Sequence, residues 1–252
     1  MKLILEDGGW IDSERFFDLS VPLVDGEGNL RAWYVDPPVF EPVRANGFIG
    51  SVAEGGAVNF RNIFFNPHGH GTHTECLGHI TLQVYSVNKA VRSYMCRAVV
   101  ISVHPIQVKS SLDGKMDAVI TPEMIEIALA GKETEALIIR TLPNDENKRT
   151  RNYSSQNPAY LHPDCIHVIN ASGVRHLMID TPSVDREEDG GALIFHHAFW
   201  RISEGGDFER TITELIYVPN EVQDGSYLLE LQLAAFDNDA SPSRPVIYPI
   251  YT

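Results

Sequence analysis

Short runs of consecutive apolar residues are the clearest structural signal in this sequence. Two of them, 97–103 (RAVVISV) and 136–141 (ALIIRT), have the length of strands and the continuous apolar pattern of strands covered on both faces. Between them Thr121 and Pro122 begin a helix, with the threonine at the cap and the proline at the first helical position, and Gly131 ends it. This pattern predicts a strand-helix-strand unit.

The rest of the chain adds more strands than helices. A second unit runs from a short helix after Pro163 to a strand at 176–180, and the segments 211–218 and 227–233 alternate as strands do. Residues 16–23 predict a short strand, 25–56 irregular loops able to form a substrate lid, and 242–249 an extended tail. We expect a mixed α/β fold in a single domain spanning 1–252.

Composition and charge restrict the partners. Of 252 residues, 43% are hydrophobic and 21% charged, as in ordinary globular proteins, and no apolar stretch reaches the roughly 18–20 residues of a membrane span. The N-terminus lacks the features of a signal peptide, so we expect a cytoplasmic protein. The net charge of -14 argues against nucleic acids and anionic membranes, which bind clustered Lys and Arg, and favours a small-molecule partner.

Histidines are concentrated in one short segment. Four of the ten, at 68, 70, 73 and 79, fall within twelve residues, and Glu75 lies among them. Neutral imidazole and carboxylate are ligands that zinc and manganese prefer, so the segment indicates a metal site. On a strand His73 and Glu75 share a face, whereas His68 and His70 lie at odd offsets from His73 and converge with it only if Gly69 or Gly71 permits a turn.

A catalytic metal site needs further ligands from elsewhere in the chain. His196 and His197 are adjacent candidates, and Glu214 is an acid in the otherwise apolar segment 211–218. A carboxylate buried there requires a metal, a cation or protonation to offset its desolvation. The three cysteines, Cys76, Cys96 and Cys165, are widely separated, which predicts reduced thiols.

These residues resemble a known family, the cyclases that include bacterial kynurenine formamidase (arylformamidase). The family motif is His-x-Gly-Thr-His-x-Asp-x-Pro-x-His; here Gly71-Thr72-His73 matches it, Glu75 holds the Asp position and His79 the closing His, whereas the first His falls on Gly69 and the Pro on Leu77. Further landmarks follow in the family's order: Asp18-Leu19-Ser20, Ile139-Arg140-Thr141, the stretch 179–185 (IDTPSVD), His196 with Phe199-Trp200, and Ile212-Thr213-Glu214.

The resemblance implies a mixed α/β domain of the swivelling β/β/α type and one or two divalent ions, zinc or manganese. His73 and Glu75 would hold one ion with a third ligand from the glycine-rich stretch, assigned here to His70 with His68 as the alternative. Glu75, His196 and Glu214 would hold the other, with His197 as the alternative to His196. His79 would carry protons, the stretch 180–185 would be a structural turn, and the protein would be a homodimer or a larger homo-oligomer.

The predicted activity is hydrolysis of a small amide, such as the aryl formamide N-formylkynurenine, by metal-activated water. Trp33 and Tyr34 are aromatic residues available to hold an aryl ring. Phe64 and Phe65 could do the same, but core packing explains them better. Two alternatives are hydrolysis of a cyclic amide, imide or lactam, and a protein that binds metal or a small acid without catalysis. Catalysis by Cys76 also stays open, whereas the absence of a Gly-x-Ser-x-Gly motif disfavours a serine esterase.

Overall fold

The computed structural model describes residues 1–252 and contains more strand than helix, as predicted. The strands are β1 (Lys2–Ile4), β2 (Trp10–Asp12), β3 (Phe17–Asp18), β4 (Val39–Pro42), β5 (Arg44–Ala45), β6 (Phe48–Ile49), β7 (Arg61–Phe64), β8 (His73–Glu75), β9 (Met95–Val103), β10 (Ile106–Lys109), β11 (Met116–Ile120), β12 (Ala136–Thr141), β13 (Tyr160–Leu161), β14 (His176–Ile179), β15 (Thr211–Glu214), β16 (Gly225–Leu233) and β17 (Ala240–Pro249). The α-helices are α1 (Val87–Ala90), α2 (Pro122–Leu129), α3 (Cys165–Ala171) and α4 (Ile194–Phe199). None of them has the length and apolar character that crossing a bilayer requires.

Seven strands close into a barrel in the order β16-β9-β12-β14-β15-β8-β17, and pairing between β16 and β17 completes the ring. The neighbours β9, β12, β14 and β15 run parallel, and the other barrel pairs are antiparallel. Every residue of β12 is buried, because its two faces meet two different cores. One core fills the barrel and includes Val100 and Ile138; the other lies under α2, α3 and α4 and includes Ile101 and Leu137. The mixed α/β expectation is confirmed.

The predicted helices and strands agree with the structure in some segments and differ in others. The helix begins after its Thr121 cap with Pro122 and ends at Leu129, just before the predicted Gly131, and β9 and β12 on either side of it are parallel neighbours. Between β9 and α2, however, the chain forms the hairpin β10-β11, which the pattern did not indicate. The segment 242–249 is not a tail, because β17 pairs with β8, β16 and β3 and closes the barrel.

Close packing at a glycine supports the turn that carries His79. Gly78 lies in the 3-10 turn Leu77–His79, and a Cβ at this position would lie 2.5 Å from the carbonyl oxygen of Tyr85 and 2.6 Å from its nitrogen. Because backbone atoms cannot swing aside, we expect Gly78→Ala to lower the free energy of unfolding by about 1–3 kcal/mol, measured by urea denaturation. Gly28→Ala, with nothing within 4 Å of its Cβ, is the control and should change it by less than about 0.5 kcal/mol. Equal stability of the two variants would contradict this account.

Candidate metal centre

One face of the strand pair β8-β15 forms the centre of the site. His73 and Glu75 are two residues apart on β8 and share this face, as predicted, and Glu214 of β15 lies directly opposite His73 in the antiparallel register. His73 Nε2 is 3.4 Å from Glu214 Oε2. The three side chains are at most 4% exposed, so two carboxylates and an imidazole are held together out of water.

Helix α4 brings His196 to this face. Its cap residue, Leu193, has no side-chain acceptor, and the Asp185 carboxylate takes that role by accepting from the backbone nitrogens of Phe195 (2.7 Å) and His196 (3.0 Å). The same carboxylate also binds His196 Nδ1 at 2.6 Å, which leaves Nε2 3.1 Å from Glu75 Oε1. Of the adjacent pair, His196 joins the cluster, whereas His197 is exposed. Asp185, expected only to shape a turn, therefore orients a histidine of the site.

The two histidines of the turn before β8, His68 and His70, make different contacts. His70 Nδ1 accepts from the backbone nitrogen of Asn66 (2.8 Å), and its Nε2 donates to the carbonyl of Asp36 (2.7 Å), so both ring nitrogens bind backbone groups. His68, whose own nitrogen donates to Asn66 Oδ1, turns its ring into the cluster with Nδ1 3.0 Å from Glu75 Oε2. The structure thus does not bring His70 to the predicted site and places His68 there instead.

Packing disfavours an imidazole at position 69. Gly69, where the family motif would place its first histidine, lies against the 32–35 loop. A Cβ on Gly69 would lie 2.8 Å from Val35 Cγ2 and 3.2 Å from the carbonyl oxygen of Ala32, so a side chain here would require the 32–35 loop to shift.

Asp239 is a site residue that sequence reasoning missed. Its Oδ2 lies 2.9 Å from His68 Nε2 and 3.4 Å from His79 Nδ1, at the edge of the cluster. Its backbone carbonyl accepts from the nitrogen of Cys76 (3.1 Å), immediately after β8. In the sequence it is only an acid shortly before the segment 242–249, which the pattern predicted to be an extended tail and not a strand of the sheet.

Opposite charges favour one another throughout the cluster. Burial by itself would raise the pKa of Glu75, but the nearby His79, His196 and His68 hold it well below its usual range. Burial likewise opposes the charged forms of His196 and His68, yet hydrogen bonds to Asp185, Asp239 and Glu75 outweigh it and raise the pKa of each imidazole to about 10. Positive charge is therefore strongly favoured at this place.

The donor set fits a divalent metal ion. Three histidines have one ring nitrogen bound to an oxygen and the other facing the carboxylates: His68 on Asp239, His196 on Asp185, and His73 on the carbonyl of Gly71 at 3.0 Å. The buried atoms His73 Nε2 and Glu75 Oε2 make no well-aligned hydrogen bond, although His68 Nδ1 lies 3.0 Å from Oε2. Burying such atoms is costly unless something else binds them. Two groups with ligand atoms within 4.8 Å of one another share Glu75: His68, Glu75 and His79, and His73, Glu75 and Glu214.

A cavity of about 380 Å³ opens onto these ligands. Its lining consists of Trp33, Val35, Asn66, His68, His79, Ser183, Leu193, His196 and Glu214. Trp33 and Leu193 have left-handed φ values of 59° and 43°, a strained conformation that the surrounding structure imposes. Of the four predicted aromatics only Trp33 lines the cavity; Tyr34 is 61% exposed, and Phe64, 56% exposed, is not the core residue expected.

Fold and site together define a class: an α/β-barrel enzyme whose buried histidines and carboxylates could hold a divalent metal ion beside a small-molecule cavity. The family model described as Putative cyclase matches residues 17–186, and the chain belongs to that family. Kynurenine formamidases of Bacillus cereus (strain ATCC 14579) and Bacillus anthracis are each 27% identical to it over 240 residues, covering 94% of this chain and 99% of theirs.

Solved structures share the fold. The structure called a potential metal-dependent hydrolase with cyclase activity has a TM-score of 0.63 at 14% identity, covering 93% of this chain and 97% of its own. Isatin hydrolase A from Labrenzia aggregata, bound to benzyl benzoate, has a TM-score of 0.62 at 15% identity, with 93% of each chain covered.

The cysteines are placed where thiol chemistry is suppressed. Cys76 is 1% exposed and donates to the carbonyl of Tyr85, and burial raises its pKa to about 11; burial also raises the pKa of Cys96 and Cys165 to about 12. We expect Ellman's reagent at pH 8 to label none of the three thiols rapidly in the folded protein and all three in guanidinium chloride. Rapid labelling of one thiol that is absent from a Cys76→Ala variant would instead restore cysteine catalysis as an alternative.

Proposed function

We propose that this enzyme hydrolyses a small amide, an aryl formamide such as N-formylkynurenine, at a centre of two divalent ions, zinc or manganese. One observation carries the proposal: three histidines, each fixed by an oxygen on its outer nitrogen, turn their inner nitrogens to two buried carboxylates beside a cavity. Full-length similarity to kynurenine formamidases supports the choice of substrate.

In this proposal His73, Glu75, His196 and Glu214 would hold the ions, with Glu75 common to both groups of ligands. When bound, a divalent ion acts as a Lewis acid that polarises a carbonyl and acidifies water. Imidazole nitrogens and carboxylate oxygens without thiolate suit zinc and manganese. Because these ligands are buried, the substrate carbonyl is expected to approach from the cavity side.

His79 is the proposed proton carrier. Its side chain is 31% exposed, compared with 19% for His68 and 3% for His196, so it is the cluster histidine most accessible from the cavity. An imidazole in this place can take a proton from the attacking water and give it to the departing nitrogen. The indole of Trp33 on the cavity wall offers an apolar face to the aryl ring.

Metal content and hydrolysis measured on the same samples test the proposal. We expect two zinc or manganese ions per chain and turnover of N-formylkynurenine by the wild-type protein. His73→Ala and Glu75→Gln each remove a ligand. Because loss of even an outer partner of a ligand costs about 10- to 100-fold, we expect activity to fall more than about 100-fold together with the metal content.

His197→Ala is the matched control, since it removes a neighbouring exposed histidine and should leave both readouts unchanged. A panel with the lactam isatin, a cyclic imide and an aliphatic formamide identifies the substrate class. Turnover of isatin alone would replace the formamide proposal by lactam hydrolysis. Bound metal without any turnover would favour the binding-protein alternative, and failure to bind metal after reconstitution would refute the metal centre.

We also propose that the enzyme is a homodimer in which residues 36–66 contact the second copy. This arm, which carries β4 to β7, has many exposed apolar side chains: Val39, Phe48, Val52, Val58, Phe60, Ile63 and Phe64. With three acids and two arginines it carries a charge of only -1 of the total -14, so two acidic chains can meet there with little repulsion. Asn66 at its end and Val35, the residue just before its start, line the cavity, which would couple dimer formation to the substrate site.

Light scattering coupled to size-exclusion chromatography tests the dimer. We expect Ile63→Glu to weaken dimerisation at least about 100-fold, because it buries an unpaired charge in the contact. Ile127→Glu, on α2 and outside the arm, changes a residue that is 79% exposed and should leave the dimer intact. A monomeric wild-type protein, or equal dimerisation of the two variants, would contradict the proposal.

A further inference from the structure

We propose that Asp239 is a positioning residue that turns His68 into a metal ligand, so that the Oε2 side of Glu75 forms an ion site with an imidazole from position 68. This inference rests on the metal centre proposed above. It assigns a role to a residue pair that the sequence did not connect.

The two nitrogens of His68 have different neighbours. Nε2 lies 2.9 Å from Asp239 Oδ2, whereas Nδ1 lies 3.0 Å from Glu75 Oε2. With Nε2 donating to the outer carboxylate, loss of the Nδ1 proton when a metal binds leaves a lone pair directed at the cluster, which is the form of imidazole that binds a metal. The ring orientation therefore follows from the Asp239 contact, and the backbone turn at Asn66 only brings the residue into reach.

Asp239 is itself well anchored. Its carbonyl accepts from the nitrogen of Cys76, and the next residue, Ala240, pairs with Glu75 in the β17-β8 register. The carboxylate thus belongs to the residue immediately before β17, the strand adjacent to the one that carries Glu75. The two side chains of the pair are only 19% and 15% exposed, which limits competition from water for their hydrogen bond.

The other side of Glu75 has the same arrangement. His196 Nδ1 binds Asp185 at 2.6 Å, and its Nε2 lies 3.1 Å from Glu75 Oε1. Oε1 of Glu75 consequently faces His196, which Asp185 holds from behind, and Oε2 faces His68, which Asp239 holds from behind. His79 Nδ1 lies farther from Oε2, at 3.8 Å. The two arrangements come from different parts of the fold, α4 on one side and the turn before β8 on the other, so they can be tested separately.

Cobalt(II) serves as the probe, because its visible absorption reports the ligands and the number of ions bound. The metal-free protein is titrated with Co²⁺, and a chromophoric chelator competes for the bound ions. We expect two ions per chain in the wild-type protein. Asp239→Asn should weaken one of them about 10- to 100-fold, the usual effect of losing an outer carboxylate, and leave the other unchanged. His68→Ala should abolish tight binding of that same ion and change the absorption spectrum.

Asp237→Asn is the matched control, since it removes an exposed acid two residues from Asp239 and should bind as the wild-type protein does. His197→Ala is the corresponding control for His68→Ala. The melting temperature of each metal-free variant detects damage to the fold itself, and Asp239→Asn should stay within about 3 °C of the wild-type value because the pair is at the edge of the barrel.

The outcomes separate the two proposals. Normal metal content and activity with unchanged affinities in Asp239→Asn would overturn the positioning role and leave the proposed function standing. Equal weakening of both ions in Asp239→Asn would also overturn it, because the effect would not be confined to one side of Glu75. If the wild-type protein binds no Co²⁺, the proposed metal centre fails and the role of Asp239 fails with it.

Discussion

The buried charge of Glu75 is the constraint on which the rest of the site depends. A carboxylate moved out of water costs several kcal/mol unless compensating groups surround it, and this one lies 1% exposed on the face of a sheet. Imidazoles approach it from three separate segments of the chain, and two of them are held by further carboxylates. The cluster is therefore an alternation of acids and bases in which every member depends on its neighbours.

The strands of the barrel and the segments that connect them position the residues of this cluster in different ways. The register of β8 and β15 fixes His73, Glu75 and Glu214 with no need for side-chain contacts, because strand geometry alone decides which residues share a face. His196 depends on Asp185, which both caps α4 and binds the imidazole. A single carboxylate thus supports the start of a helix and the geometry of the site, so that damage to one is damage to the other.

What could be predicted from the sequence is what depends on neighbours along the chain. The strand β12, the start of α2 and the shared face of His73 and Glu75 follow from local periodicity and caps, and resemblance to a family located His196 and Glu214. The choice between His68 and His70 depends on ring orientations set by distant residues. Asp239 was missed because three prolines in the following segment hid a strand whose partners lie far away in the sequence.

The position of β17 has a consequence for the order of events during synthesis. His68 and Asp239 are 171 residues apart, and the strand that follows Asp239 leaves the ribosome after the other six strands of the barrel. Until then the ring of strands is open between β8 and β16, and Glu75 lacks one of its flanking strands. A growing chain consequently exposes a histidine-rich segment before the barrel can enclose it, and the completed centre is a late product of folding rather than a template for it.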